Sequence, residues 1–175
     1  MKKNLFYTVM MMAVMAVVAV SFTACGGDDS DDPLNTPTEN KQDPDDISVY
    51  IWPSTQWGCS LSDLKNYMAS SSMVISEDLG DGLIYKTMDN KYLIAYTTDA
   101  DGKYRLFQSV YQGCTQKKLT NIINKFKKDY NITLEDKGYG EVWRATGAIN
   151  NKNCEAKVLC EKTTNSIIVE VFVLN

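Results

Sequence analysis

Two stretches in the C-terminal part of this chain share the pattern Glu-Asp-x-Gly-x-Gly, at residues 77–82 and 135–140. The similarity continues to residues 86 and 144, where the last three positions of each copy are chemically alike. Upstream, Gly-Cys-Ser at 58–60 corresponds to Gly-Cys-Thr at 113–115. Because the two matches occur in the same order, they indicate an internal duplication, and the fold has to contain two similar halves.

A segment with helical periodicity follows each Gly-Cys-Ser/Thr motif. Ser60 and Asp63 form an acidic variant of the capping box in the first half, and Thr115 is a good N-cap in the second. Apolar residues then recur at the spacing that places them on one helical face. These stripes are Leu61, Leu64, Tyr67 and Met68, and Leu119, Ile122, Ile123, Phe126 and Tyr130.

Segments rich in β-branched and aromatic residues, bounded by turn sequences, predict the strands. They are residues 47–52, 83–88, 91–98, 104–111, 141–146, 154–162 and 166–174, with short additions possible at 73–76 and 131–134. The expected fold class is α+β, a duplicated β-α-βββ-α-βββ in which the 104–111 strand is shared. Two helices should cover one face of a largely antiparallel sheet.

Composition divides the chain into three parts. Residues 25–46 hold three prolines, eight acidic residues and one lysine, so this tether lacks the apolar surface that ordering requires. The remaining C-terminal part is long enough for one domain with its own core. The predicted organisation is a signal peptide at 1–24, the tether at 25–46, and a single domain at 47–175 made of repeats at about 47–111 and 104–175.

The N-terminal segment has the layout of a secretory signal, with two lysines, an uncharged apolar run at 5–20, and small residues before Cys25. The residues Phe-Thr-Ala-Cys at 22–25 resemble a bacterial lipobox, although Phe22 stands where that pattern prefers leucine. The resemblance implies lipidation of Cys25 and an anchor in the outer membrane. The alternative is an ordinary secretory signal with an incidental cysteine.

An acidic run follows Cys25, and it resembles the export signal of Bacteroidetes-type surface-exposed lipoproteins. The residues that carry the resemblance are Asp28, Asp29, Asp31 and Asp32. It implies exposure at the cell surface. A simpler interpretation is a solvated acidic linker.

The order of helices and strands in 47–175 loosely resembles the duplicated β-lactamase-inhibitor-protein-like fold. That family packs its helices on one face of a sheet and binds partners with the other face. The resemblance rests on topology and length, so it transfers no functional residues to this chain.

Charge and composition narrow the function classes. The tether carries the acidity, whereas residues 47–175 are nearly neutral, with fifteen basic and fourteen acidic side chains. A nucleic-acid partner is therefore not expected. The chain has no histidine, which removes the commonest general base and the usual nucleophile pairs. We expect no enzymatic activity, no cofactor and no metal site, and we interpret the Gly-x-Gly segments as turns.

Four cysteines lie in the domain, at Cys59, Cys114, Cys154 and Cys160. An exported protein can form disulfides. Cys154 and Cys160 share a predicted strand and are too far apart to bridge, so two bridges would each join a helix start to this late strand. The alternatives are four buried thiols, or a zinc site, which the absence of a Cys-x-x-Cys pair disfavours.

Aromatic residues concentrate on the predicted strands. The alternation at 92–96 places Tyr92 and Tyr96 on one face. If that face is the open one, Tyr92, Tyr96 and Trp143 would form a recognition surface. Otherwise these rings complete the core.

These observations favour a surface-anchored, non-catalytic lipoprotein whose protein-binding or inhibitor-like domain binds a macromolecule through the open sheet face. One alternative is a glycan-binding accessory lipoprotein, which requires exposed Trp or Tyr rings. A second is a structural component of the envelope. An enzyme would need a deep pocket with converging carboxylates or a reactive cysteine.

Overall fold

The computed structural model describes residues 43–174 of the chain. A compact unit begins at Asp45, and only residues 43–44 of the unit before it are described. The predicted signal peptide, Cys25 and the acidic run at 28–32 lie outside the described residues.

A short 3-10 turn, Ile47–Val49, precedes two helices, α1 at Leu61–Met68 and α2 at Gln116–Tyr130. Four strands follow each helix. They are β1 Val74–Asp78, β2 Gly82–Lys86, β3 Tyr92–Thr98, β4 Tyr104–Gln112, β5 Glu135–Asp136, β6 Val142–Ile149, β7 Lys152–Glu161 and β8 Ser166–Val173.

All eight strands form one sheet in the order β1-β2-β3-β4-β8-β7-β6-β5, and every neighbouring pair is antiparallel. Consecutive strands pair within each group of four, as hairpins do. The two groups meet at β4 and β8, the last strand of each, which pair from Leu106–Phe172 to Gln112–Ser166. The predicted α+β class is therefore correct.

Both helices begin where their capping residues predict. The Ser60 hydroxyl accepts from the Asp63 amide, and the Asp63 carboxylate accepts from the Ser60 amide, which completes a capping box. The Thr115 hydroxyl accepts from the Lys118 amide. The preceding glycines, Gly58 and Gly113, both have φ of +82°, a conformation that a side chain would strain.

The hydrophobic core lies between the sheet and the helices. Its members include Leu64 and Met68 from α1, and Leu119, Ile122 and Phe126 from α2, all packed against one face of the strands. Because both helices bury their stripes in the same cluster, they cover the same face of the sheet, as expected for an antiparallel α+β domain.

The predicted strand at 47–52 is wrong. After the 3-10 turn, residues 50–56 belong to no helix or strand and do not pair with the sheet. We call residues 47–59 the strap. Tyr50 stacks on Tyr92 at 4.7 Å between ring centroids, and Trp52 packs edge-on against Phe126 at 5.7 Å. The aromatic residues that suggested a strand pack their rings against the core instead. A high β-propensity reflects a good fit to a half-buried surface, which these residues find outside the sheet.

The order of elements also differs from the predicted β-α-βββ-α-βββ. Each helix is followed by four strands, because β1 and β5 add a strand at each edge of the sheet. The strand at 104–111 closes the first group only. The other six predicted strands are confirmed, with ends that differ by up to three residues.

The two Glu-Asp-x-Gly-x-Gly segments form the hairpins β1–β2 and β5–β6. In each, the aspartate side chain accepts a hydrogen bond from a glycine amide two residues later, Asp78 from Gly80 at 3.2 Å and Asp136 from Gly138 at 2.9 Å. This is an Asx turn, so the predicted structural role of the glycines is confirmed.

Candidate binding surfaces

The predicted recognition surface of Tyr92, Tyr96 and Trp143 lies in the core. Tyr92 and Tyr96 are 0% exposed, and Trp143 is 9% exposed. The alternation correctly places Tyr92 and Tyr96 on one face of β3, but the helices and the strap cover that face. These rings therefore complete the core, and they do not form a recognition surface.

The buried tyrosines use their hydroxyl groups to hold the strap. Tyr104 Oη donates to the Ser54 carbonyl at 2.6 Å, and Tyr92 Oη donates to the Ile51 carbonyl at 2.9 Å. Tyr96 Oη accepts from the Ser54 amide at 3.2 Å. Residues 50–56 of the strap pair with no strand, whereas Gly58 and Cys59 exchange backbone hydrogen bonds with Tyr104. The tyrosine side chains therefore satisfy backbone groups of the strap that burial would otherwise leave unpaired.

Burial also suppresses the ionisation of these phenols. Desolvation raises the pKa of Tyr92, Tyr96, Tyr104 and Tyr111 far above the ordinary value for tyrosine. It raises the pKa of Tyr130, on α2, to about 12. These hydroxyls therefore remain neutral donors near pH 7 and are poor candidates for a general base.

The strap also contacts the second group of strands. Trp57 Nε1 donates to the Ile149 carbonyl at 2.9 Å, and Asn150 Nδ2 donates to the Thr55 carbonyl at 2.9 Å. The Trp57 ring stacks on Tyr104, 4.9 Å away. The strap thus links β4 of the first group to the β6–β7 turn of the second.

One disulfide joins Cys114, just before α2, to Cys160 on β7, with 5.9 Å between their α-carbons. It is one of the pairings of a helix start with the late strand that the spacing allows. Cys59 and Cys154 are thiols. Burial is the main cause that raises the pKa of both, so neither has the lowered pKa of a nucleophilic cysteine.

The opposite face of the sheet carries no helix among residues 43–174. The register places apolar side chains on the part formed by β2, β3, β4 and β8. They are Ile84, Leu93, Ala95, Leu106, Val110 and Ile168. Their side chains are hardly exposed, from 0% for Ile84 to 7% for Ile168. Strands that are apolar on both faces are typical of sheets that are covered on both sides.

Polar groups lie within and beside this apolar area. Gln108 Nε2 donates to Glu170 at 2.7 Å across the β4–β8 junction. Towards β6 and β7 the face becomes charged, with Arg144, Glu155 and Lys157 on it. Leu159 and Phe172 are partly exposed. We call this side of the sheet, from Ile84 to Arg144, the open face.

A shallow cavity of about 230 Å³ lies between the strap and the segment that follows α1. Its lining combines hydroxyl groups with a few apolar side chains and contains no carboxylate, lysine or cysteine. The lining residues are Val49, Tyr50, Ile51, Ser70, Ser71, Ser72, Met73, Thr87 and Tyr92. The cavity is smaller than typical pockets for small ligands and lacks groups for acid–base or nucleophilic chemistry.

Helix α2 presents a basic surface to solvent. Lys117, Lys127 and Lys128 are exposed. Lys118, in contrast, is buried, and its ammonium group donates to the Gln112 carbonyl and lies 4.0 Å from Asp45. The buried lysine therefore has a structural role.

No protein-family model, curated protein or solved structure matches this chain. Within residues 43–174, no three side chains of the types that bind metals come close enough to hold an ion. The same residues contain no helix that is both long and apolar enough to cross a membrane. Function therefore has to be argued from the surfaces of the domain.

The sequence analysis did not predict which residues form the open face. It selected aromatic rings, whereas the residues on this face are mainly aliphatic. A signal was nevertheless present, because β3 and β8 lack the alternation of apolar and polar residues expected for a strand with one solvated face. The sequences Leu-Ile-Ala at 93–95 and Ile-Ile-Val at 167–169 show this directly.

Proposed function

We propose that this protein is a non-catalytic lipoprotein, anchored in the outer membrane through Cys25 and exposed at the cell surface. Its domain binds a macromolecule, and specifically a protein, through the open face. The lipobox-like residues 22–25 and the acidic run at 28–32 support the anchoring. Two or more acyl chains on this cysteine would anchor the protein stably in the membrane, whereas a single chain binds only marginally.

The observation that carries the binding proposal is the apolar character of the open face. An antiparallel sheet with one solvated face normally alternates apolar and polar residues, so that the solvated side is polar. Here Leu93, Val110 and Ile168 on three neighbouring strands are aliphatic and at most 7% exposed, and Leu159 and Phe172 beside them are partly exposed. Charged side chains border this area, as they border protein interfaces. A partner that contacts the partly exposed Leu159 and Phe172 would gain hydrophobic contact, and the charged side chains around them would orient it.

Several observations support a non-catalytic role. The chain has no histidine, the pKa values of the two thiols are raised by burial, and the cavity beside the strap has no ionisable acid or base except tyrosine. The groups that an active site would use as base or nucleophile are therefore not assembled there.

We also propose that the domain arose by duplication of a unit of one helix and four strands. Three local features recur in each half: a glycine with φ of +82°, a capped helix start and an Asx turn. The repetition of α-ββββ and the pairing of β4 with β8 are compatible with the β-lactamase-inhibitor-protein-like resemblance. In that family the helix-free face of the sheet binds a protein, which favours a protein partner here.

The alternative of a glycan-binding accessory protein has less support, because its expected rings are in the core. Tyr92, Tyr96 and Trp143 have no exposed face on which a sugar could stack. Tyr139 is fully exposed, but it lies in the β5–β6 turn, away from the strand faces. A purely structural role in the envelope is the other alternative. It would not explain why the open face is apolar, because it assigns no binding partner to that face.

The binding proposal is tested by crosslinking on intact cells with two variants. The double substitution Leu159→Asp and Phe172→Asp places charges on the partly exposed side chains of the open face. We expect the adducts of the wild-type protein to disappear. Met88→Asp is the matched control, because Met88 is 79% exposed and lies in the β2–β3 turn, off this face. Equal adducts in all three proteins, with equal Tm, would overturn the proposal.

The anchoring proposal is tested separately. Cys25→Ala should release the protein from the membrane fraction, and wild-type cells should yield an acylated N-terminal peptide by mass spectrometry. Substitution of Asp28, Asp29, Asp31 and Asp32 by Asn should leave acylation intact and remove protease accessibility on whole cells. An unacylated wild-type protein would refute the anchor, and unchanged accessibility would refute the export role.

A further inference from the structure

We propose that the protein partner of the open face is a second copy of this chain, which packs its own open face against the first about a two-fold axis. This inference rests on the binding and anchoring roles proposed above, and it names the partner for that surface. Four partly exposed side chains on β7 and β8 carry it. They are Lys157, Leu159, Glu170 and Phe172, and we call them the pairing patch.

The register of the sheet brings the pairing patch together. Lys157 lies opposite Glu170 across the β7–β8 ladder. Leu159 follows Lys157 by two residues on β7, and Phe172 follows Glu170 by two residues on β8, so all four side chains are on the open face. Because the two strands are antiparallel, Leu159 and Phe172 lie on opposite sides of the charged pair. The patch is therefore a lysine and a carboxylate between two apolar side chains.

The two charges of the pairing patch do not form an ion pair with each other. Glu170 Oε2 accepts a hydrogen bond from Gln108 Nε2 at 2.7 Å, on the side of β4, and the other carboxylate oxygen can still accept. Lys157 forms no ion pair within residues 43–174. Arg144 and Glu155, on the same face, lie 4.0 Å apart and compensate each other. The lysine and the carboxylate of the patch can therefore each bind an opposite charge.

A two-fold axis parallel to the strands and midway between β7 and β8 makes the pairing patch complementary to itself. A half-turn about this axis places Lys157 of one copy opposite Glu170 of the other, and the reciprocal pair forms at the same time. The four charges then alternate in sign around the axis. Sheets that pack face to face lie about 10 Å apart, a separation that a lysine and a glutamate extending from opposite sides can span.

The apolar members of the pairing patch lie beside the same axis. Neighbouring strands are about 5 Å apart, so Leu159 of one copy is displaced sideways by only that distance from Leu159 of the other, and the same holds for Phe172. Leucine–leucine and phenylalanine–phenylalanine contacts would thus flank the charged pairs. These contacts use side chains that solvent reaches in the single chain. Apolar contact supplies affinity, and the alternating charges determine the register.

The place where the tether leaves the domain agrees with this axis. Asp45 accepts a hydrogen bond from the Thr115 hydroxyl at 2.7 Å, and its carbonyl accepts from Asn121 Nδ2 at 3.1 Å. Both donors lie in the first half of α2 or just before it, at the end of the sheet where β4 stops and β8 begins. An axis parallel to the strands keeps both exits at that end, so both copies can be anchored in one membrane. An axis across the strands would place the exits at opposite ends.

Anchoring in one membrane makes a small interface sufficient. Four side chains from each copy form a smaller contact than a stable dimer in solution usually has. Two copies that are tethered to the same surface, with their exits at the same end, meet at a high effective concentration. We therefore expect pairing between neighbouring copies on the cell.

The experiment is thiol crosslinking on intact cells that carry two full-length copies with different epitope tags. Both copies have Cys59→Ser, which removes the partly exposed native thiol, and Phe172→Cys, which places a thiol beside the two-fold axis. A short bismaleimide should join the copies into an adduct that contains both tags. Lys152→Cys in place of Phe172→Cys is the matched control. Lys152 is exposed, but it precedes the core residue Cys154 by two positions on β7 and so lies off the open face. It should give no such adduct.

Charge reversal then tests the pairing itself. Lys157→Glu in both copies, or Glu170→Lys in both, brings like charges together and should reduce the two-tag adduct roughly ten-fold. Lys157→Glu in one copy with Glu170→Lys in the other should restore it, because every facing pair across the axis then has opposite signs. A folding defect in either variant would not be repaired by mixing them, so restoration distinguishes pairing from stability.

Absence of the two-tag adduct, or an adduct that charge reversal leaves unchanged or that mixing does not restore, would overturn the self-association. The broader binding role is then decided by the earlier test with Leu159→Asp and Phe172→Asp. Adducts with a different protein that this double substitution removes would leave the binding role intact, whereas adducts that it leaves unchanged would overturn both. Membrane fractionation of Cys25→Ala reports the anchor independently.

Discussion

At the scale of single residues, the tyrosines of this domain explain how residues 50–56 of the strap, which pair with no strand, remain ordered. Tyr92 and Tyr104 extend from neighbouring strands through the core, and their hydroxyls reach carbonyls of the strap. Phenylalanine would fill the same volume but would leave those carbonyls without a donor. An aromatic residue with a polar end suits a position that is apolar along its length and polar at its tip.

Tyr104→Phe tests this role. The substitution removes one hydroxyl, and the buried Ser54 carbonyl loses its 2.6 Å hydrogen bond. We expect a loss of about 1–3 kcal/mol in the free energy of unfolding, measured by urea denaturation. Tyr139→Phe is the matched control, since Tyr139 is fully exposed. A Tyr104→Phe protein as stable as this control would show that the hydroxyl contributes nothing.

The same phenols predict how stability depends on pH. Burial raises the pKa of Tyr130 from 10.0 to about 12, and it also raises the pKa values of Tyr92 and Tyr104. The folded state therefore favours the neutral phenols. Their contribution to stability is complete below pH 10 and decreases as the pH rises through the folded-state values. Near-ultraviolet absorbance and circular dichroism should show phenolate formation coinciding with unfolding above pH 10, and early titration of all tyrosines in the native protein would contradict this.

At the scale of elements, the amino-acid sequence predicts local structure well where one residue determines it. Ser60, Asp63 and Thr115 determine helix starts through bonds to nearby amides, and Asp78 and Asp136 determine turns in the same way. The strand predicted at 47–52 does not form, because the carbonyls of Ile51 and Trp52 accept hydrogen bonds from tyrosine hydroxyls that come from elsewhere in the chain. Alternation along β3 predicts which residues share a face with Tyr92. It does not predict that the helices and the strap cover that face, because this depends on tertiary packing.

The disulfide between Cys114 and Cys160 belongs to this scale, because it fastens the start of α2 to β7. It spans 46 residues, and a loop of that length gives a stabilisation of up to about 4 kcal/mol in the chain-entropy model. We expect Cys114→Ser, combined with Cys160→Ser to avoid a new free thiol, to lower the Tm by several degrees in thermal unfolding.

Cys59→Ser is the control for that loss. Cys59 occupies the place before α1 that Cys114 occupies before α2, but it has no disulfide partner. It should change the Tm far less than the removal of the bridge. A reducing agent should lower the Tm of the wild-type protein and of Cys59→Ser alike. Equal Tm values for all three proteins would contradict a stabilising disulfide.

At the scale of the whole domain, the two groups of strands form one structure. The β4–β8 pairing continues the ladder across the sheet, and the helices share a single core. Trp57 adds a contact from the strap to Ile149 in the second group. The repeat was visible in the sequence, but the sequence did not indicate which strands would join the halves, because that pairing depends on contacts between residues far apart in the chain.

The shared core predicts that the halves unfold together. Tryptophan fluorescence reports the strap and β6, through Trp52, Trp57 and Trp143, whereas far-ultraviolet circular dichroism reports the helices and the sheet. The two signals should follow one urea transition with the same midpoint. Separate transitions, or a residue 45–112 fragment that shows a cooperative transition of its own, would contradict the single core.

The strap also determines how the domain responds to mechanical load. Where the protein is held by its N-terminus, a pulling force enters at Asp45 and passes along the strap before it reaches any strand. The strap is fastened at Ile51, Ser54 and Thr55 to tyrosines of β3 and β4 and to Asn150. Tension on an anchor is therefore distributed over the middle of the sheet and both of its halves, whereas the edge strands, which peel most easily, carry none of it directly.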